Sequence, residues 1–201
     1  MTPIYFFAKT TINVISRVFF RARAVGRANV PRTGALIIAC NHISLLDPPV
    51  MGSFAPRQIS YMAKKELFEI PVLGPLISAV GAYPVDRERS AAAAIKRSVE
   101  VLHAGGCIGI FPEGGRNTGG DKEVRQGVAL LASLSKAPVV PAAIVGSDKL
   151  RRFGPIKVAF GEPIALPEGR KATREDLAKF TDEVMSAIRK LETSIGGNSQ
   201  S

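Results

Sequence analysis

From Pro31 onward the chain alternates short apolar runs with helix-patterned segments, and this alternation constrains the fold more than any other feature. Apolar runs at 35–40, 59–63, 82–85, 107–111, 139–145 and 156–160 read as strands. Between them, 89–104 reads as a helix with Ser90 as candidate cap and Gly105-Gly106 as its stop, and 125–135 reads as another. The last helix covers 174–193, with Thr173 as N-cap and Leu177, Phe180, Val184, Ile188 and Leu191 along one face. No internal repeat and no long Pro/Gly linker divides the chain. The expectation is one α/β domain over 31–195, with a central mixed sheet flanked by helices. Residues 1–30 form an N-terminal amphipathic helical element, and 196–201 form a disordered tail.

The first thirty residues need a separate reading. Ile4, Phe7, Ala8, Ile12, Val14, Ile15, Val18, Phe19, Ala22 and Val25 fall on one broad helical face. Lys9, Asn13, Ser16, Arg17, Arg21, Arg23 and Arg27 gather opposite, with Phe6 and Phe20 near that polar arc. Arginines interrupt any signal-peptide core, and no run of eighteen uncharged apolar residues suits a transmembrane helix. The polar face carries cations and no acids, which fits a helix lying in a membrane interface with its arginines toward anionic headgroups. The plainer alternative is a helix that packs on the core.

Lysine and arginine number 27 against 17 aspartates and glutamates, a formal net charge of +10 that favours phosphate-bearing partners. Aromatics are only 6% and tryptophan is missing, so single-stranded nucleic acid would find few stacking platforms and is not an expected partner. The two cysteines, Cys40 and Cys107, lie in strand-like runs and read as buried reduced thiols of a cytoplasmic protein, with a cross-strand disulfide as the lesser alternative.

The chemistry gathers where the runs end. The first run leads into Asn41-His42-Ile43-Ser44-Leu45-Leu46-Asp47, which places a histidine at the C-terminal end of a strand and a carboxylate five residues on. A histidine backed by a carboxylate suits proton removal from a hydroxyl near neutral pH. The other histidine, His103, sits among apolar neighbours before a glycine pair and has no such setting. The fourth run opens into Phe111-Pro112-Glu113-Gly114-Gly115-Arg116-Asn117, where Arg116 offers a planar fork for phosphate or carboxylate and Glu113 orients it or bonds a substrate hydroxyl. No Gly-Lys-Ser/Thr follows, so this is not a nucleotide P-loop. The third run ends in Asp86-Arg87, bringing a second guanidinium to the same sheet edge; the second ends in Lys64-Lys65, one of which can reach a phosphate or simply face solvent. The fifth, Val139-Val140-Pro141-Ala142-Ala143-Ile144, packs and shapes a site wall.

Taken in order, NHISLLD, GAYPVDR, FPEGGRN and VVPAAI resemble the four ordered blocks of the glycerophospholipid acyltransferases, in particular the bacterial 1-acyl-glycerol-3-phosphate acyltransferases. The resemblance runs from about Ala35 to Ile144 and includes the AKKEL segment at 63–67. Gly115 and Asn117 stand where the family most often has threonine and serine, and Tyr83 where phenylalanine is common. Ala142, Ala143 and Val145 replace larger branched residues or proline. These departures remove no group the chemistry needs but leave the acceptor and the acyl-chain length open.

The resemblance implies a glycerol-3-phosphate acyltransferase-like fold. It also implies transfer of an acyl group from acyl-CoA or an acyl carrier protein to the 2-hydroxyl of 1-acyl-glycerol-3-phosphate. His42 would be the base and Asp47 its orienter. Arg87 and Arg116 would hold the acceptor phosphate, Glu113 and Gly114 would shape the loop, and Lys64 would lie near the substrate. Direct transfer needs no cofactor. The expected partners are an anionic membrane surface, a lysophospholipid acceptor and the acyl donor, at the cytoplasmic face of the cell membrane. The alternatives are a different lysophospholipid or glycerol-3-phosphate as acceptor, a hydrolase using His42, or a basic membrane-binding module without catalysis.

Overall fold

A computed structural model of the chain describes residues 2–85, 91–113, 127–149, 153–167 and 172–196. Its centre is a seven-stranded sheet: β1 (Arg23–Val25), β2 (Leu36–Cys40), β3 (Ser60–Lys64), β4 (Tyr83–Val85), β5 (Cys107–Ile110), β6 (Val139–Val145) and β7 (Lys157–Phe160), in the order β1-β7-β6-β2-β5-β3-β4. Neighbours from β6 to β4 pair in parallel, whereas β7 is antiparallel to β6 and β1 runs with β7. The expected mixed sheet is therefore present, and five strands deliver their C-terminal ends to one edge. All five residues of β2 are buried, as a parallel strand covered on both faces requires. Pro141 is tolerated within β6 because its backbone faces β7 just beyond that ladder. Its carbonyl accepts from the N–H of Gly161 (2.8 Å), and the β6–β7 register begins only at Ala142.

One face of the sheet packs α4 (Ala91–His103), α5 (Gly127–Ser135) and α6 (Arg174–Gly196) over a core that includes Ile37, Ile108, Leu131, Val139, Val184 and Ile188. The expected α6 stripe is the buried one, although Met185 and Thr181 join it and Leu177 and Leu191 are only half-buried. Thr173 and Asp176 start α6 with reciprocal bonds. The Thr173 hydroxyl oxygen accepts from the Asp176 N–H (3.2 Å), and the Asp176 carboxylate accepts from the Thr173 N–H (2.8 Å).

The opposite face packs α2 (Asp47–Phe54) beneath α1 (Pro3–Phe20), over Ile38, Cys40, Met51, Phe54, Val140 and Phe160. The short helices α2 and α3 (Leu73–Ala79) were not expected from periodicity. In α2, Pro48 and Pro49 occupy the first turn, where a missing N–H costs no helix bond.

The N-terminal element differs from the expected helical segment 1–30 in two respects. First, the helix stops at Phe20: Arg21 is left-handed (φ 46°), and the Arg23 N–H bonds the Ile156 carbonyl (3.0 Å). The chain then pairs along the open side of β7 as β1, so residues 23–25 belong to the sheet. Second, the polar face of α1 is the one turned to the protein. The Tyr5 hydroxyl accepts from the Ile59 N–H (3.1 Å), the Asn13 amide donates to the Ser53 carbonyl (3.1 Å), the Lys9 ammonium donates to the Ala55 carbonyl, and the Arg17 guanidinium lies over the Phe54 ring. Asn13 and Lys9 thereby supply donors to the carbonyl end of α2, which also favours nearby cations. The apolar face (Ile4, Phe7, Val14, Ile15, Val18 and Phe19) is left exposed.

Candidate active site

His42 lies two residues beyond β2, at the edge where the parallel strands end. Asn41 fixes its approach: the Asn41 amide donates to the Ile144 carbonyl (2.9 Å), and its oxygen accepts from the Ile144 N–H (2.8 Å). The side chain thus extends the β2–β6 pairing after the β2 backbone has turned away.

The His42 Nδ1 is 2.9 Å from Asp47 Oδ2, with the histidine side chain 14% exposed and the aspartate fully buried. Oδ2 also accepts from the N–H groups of Ile43 (2.7 Å) and Ser44 (2.7 Å), while the Ser147 hydroxyl donates to Oδ1 (2.5 Å). Asp47 is also the first residue of α2, where an anion faces the positive end of the helix. With the carboxylate a pure acceptor, Nδ1 carries the ring proton and the lone pair is on Nε2. The five-residue spacing thus closes into a compact loop whose carboxylate leaves His42 in the tautomer a base requires.

Phe111 lies against His42, ring centroids 4.1 Å apart and planes 20° from parallel, and Tyr61 stacks beyond Phe111 at 6.1 Å. Gly109 makes this possible: a Cβ there would come within 2.1 Å of the Tyr61 ring. The glycine inside β5 therefore lets an aromatic wall approach the imidazole.

Glu113 is half-buried just past β5, and its charge reaches both Cys40 and Glu192 of α6. Burial, then the Glu113 charge, raise the Glu192 carboxyl above its usual value, while a hydrogen bond from Asn41 and the Arg189 charge oppose them. The Cys40 thiol is pushed far up by burial, then by Asp47, Glu192 and Glu113, and burial pushes Cys107 up to about 12. Both thiols are free. Cys107 pairs across from Leu36, four residues from Cys40, so the two lie about 13 Å apart along the sheet and cannot form the alternative disulfide. Neither has the character of a nucleophile.

Of the residues named from sequence, His42 and Asp47 are joined directly, and Glu113 stands at the same edge. Lys64 ends β3 with its side chain exposed, two strands from β2, or about 10 Å across the sheet. β4 ends at Val85; Arg87, Gly114 and Arg116 lie outside the described residues. Asn41, Phe111, Ser147 and Glu192 had no assigned role in the sequence reading beyond the motifs containing two of them. Asn41 and Phe111 adjoin named residues and could have been flagged by that adjacency, whereas Ser147 and Glu192 are brought in from far along the chain.

The Acyltransferase family model matches residues 21–145, which include β1 to β6 and the whole His42–Asp47 loop. The chain belongs to the Acyltransferase family. Among relatives of this acyltransferase, the 1-acyl-sn-glycerol-3-phosphate acyltransferase of Bacillus subtilis is 33% identical, over 96% of this chain and 98% of its own length. The Streptococcus pneumoniae protein of the same name is 31% identical over 78% of this chain and 60% of its own. The crystal structure of a 1-acyl-sn-glycerophosphate acyltransferase from Thermotoga maritima superposes with a TM-score of 0.76 at 24% identity, covering 98% of this chain and 83% of that one. That likeness establishes a shared fold.

Proposed function

We propose that this acyltransferase moves an acyl group from acyl-CoA or acyl carrier protein to the 2-hydroxyl of 1-acyl-sn-glycerol-3-phosphate, giving phosphatidic acid, with His42 as general base. The observation that carries the mechanism is the bond between His42 Nδ1 and the fully buried, four-times-bonded Asp47. The acceptor hydroxyl gives its proton to Nε2 as its oxygen bonds to the thioester carbonyl carbon. Collapse of the tetrahedral intermediate breaks the carbon–sulfur bond, and the thiolate leaves and can recover that proton from the imidazolium. Asp47 holds the ring and stabilises the imidazolium meanwhile. The transfer changes no oxidation state and calls for no cofactor.

Arg87 and Arg116 are assigned to the acceptor phosphate, Glu113 and Gly114 to the shape of the adjoining loop, and Lys64 to the approach of the substrate along the same edge. No nucleic acid enters this scheme. The outward apolar face of α1 supports peripheral docking on an anionic bilayer, at the cytoplasmic face of the membrane, where both lipid substrate and product reside. Among the described residues no helix is long and apolar enough to cross a membrane.

The test supplies labelled acyl-CoA or acyl carrier protein with a panel of lysophospholipids and glycerol-3-phosphate, and identifies the lipid product. Phosphatidic acid formed from lysophosphatidate is expected. In His42→Ala protein kcat falls by about a hundred- to ten-thousandfold with the fold retained. Normal turnover by that variant defeats the mechanism.

A further inference from the structure

The three donors to Asp47 Oδ2 are His42 itself and the Ile43 and Ser44 N–H groups. All come from the loop that ends in Asp47. They shape that loop, but none ties the carboxylate to the sheet. The donor to Oδ1 does. Ser147 stands one hundred residues further on, just beyond β6, and is fully buried. Its hydroxyl reaches Oδ1 at 2.5 Å, a length in keeping with a neutral donor on a charged acceptor.

Ser147 is brought there by an unusual turn. Gly146 has φ +86°, and a Cβ on it would lie 2.3 Å from the Pro155 carbonyl oxygen, so neither the conformation nor the space admits a side chain. The end of β6 therefore holds the site at two points. Ile144 grips Asn41, the neighbour of His42, and Ser147, three residues later, grips Asp47.

We propose that Ser147 is a positioning residue for acyl transfer: its hydroxyl fixes the Asp47 carboxylate so that only Oδ2 faces His42 Nδ1, holding the imidazole in its Nδ1–H tautomer. This rests on His42 being the base. Without the hydroxyl, Oδ1 is a buried charged oxygen short of a donor. The carboxylate then rotates toward other donors, the bond to Nδ1 lengthens, and the ring loses its single tautomer. A proton on Nε2 leaves no lone pair for the acceptor hydroxyl, so the loss falls on turnover rather than on substrate binding.

The full-length enzyme tests this with two readouts. Steady-state kinetics on lysophosphatidate vesicles with acyl-CoA should show kcat of Ser147→Ala reduced about ten- to a hundredfold with KM changed less than about twofold. Nitrogen-15 NMR of the ring nitrogens reads the tautomer directly. The chain has only two histidines, and His103→Gln assigns them. Wild-type His42 should appear as the Nδ1–H form and Ser147→Ala as a mixture. Ser147→Thr, which keeps the hydroxyl, should recover both readouts. Should the alanine protein fail to fold, Ser147→Cys is close in volume with a far weaker donor, and the same outcomes apply.

Wild-type kcat in the folded Ser147→Ala protein overturns the proposal. So does a reduced kcat with an unchanged tautomer, since that loss would be structural. The base reading is judged separately: an active His42→Ala protein defeats it, whereas an inactive one beside a normal Ser147→Ala protein defeats only the role of Ser147.

Discussion

α1 and α6 are both amphipathic helices, and they face the rest of the protein in opposite senses, α6 against the sheet and α1 against α2. α6 buries Phe180, Val184 and Ile188 and turns most of its charges to solvent, so its packing rests on apolar area removed from water. α1 turns Lys9, Asn13 and Ser16 inward and leaves Phe7 at 74% and Val18 at 67% exposure. What holds α1 is a row of donors on the carbonyls that end α2, together with Arg17 over Phe54. Two helices of similar pattern can therefore contribute to one fold through different forces. Only the first consumes its hydrophobic face in folding; the second keeps that face available.

The strongest break in this comparison is Ile188→Ala. It empties a fully buried position under α6 and should cost about 2–5 kcal/mol in denaturant unfolding. A cost below 1 kcal/mol would mean that α6 is not held by its apolar stripe. Paired changes on the outer face of α1, Phe7→Ser with Val18→Ser, should alter stability by no more than about 0.5 kcal/mol. The same pair should weaken flotation with anionic vesicles by about tenfold or more, as apolar area is lost from the bilayer. Unchanged flotation would remove the membrane role from α1.

The smallest effect sharpens the contrast at Glu192, the half-buried carboxyl of α6 whose titration is raised by burial and by the Glu113 charge. The folded protein raises the Glu192 carboxyl, so it binds that proton more tightly than the unfolded chain does. Stability therefore falls as pH rises from the ordinary glutamate range through the raised value. Glu192→Gln should increase Tm by about 1–2 °C at pH 7, and the gain should vanish below about pH 4. A gain that persists in acid would point to packing instead of charge.

Much of the frame was legible in the chain because its signals are local. Six apolar runs became strands within a residue or two of their expected bounds, and the spacing of His42 and Asp47 closes within a single loop. β1 was not legible: Arg23-Ala24-Val25 continues the amphipathic pattern of α1, and only the open side of β7 offers it a ladder. α2 was hidden by Pro48 and Pro49, which look like a turn until a helix N-terminus gives them a place.

The sequence by itself determined that a histidine and a carboxylate, His42 and Asp47, stand just past a strand end, since both follow from residue type and short-range period. It also determined that α1 has two unlike faces. Only the tertiary structure decided which of those faces meets the protein, because the free carbonyls of α2 are created by folding and are invisible to periodicity. It alone brought Ser147 and Ile144 to the His42–Asp47 loop, because a hydrogen bond between residues one hundred positions apart exists only once the sheet has set β6 beside β2.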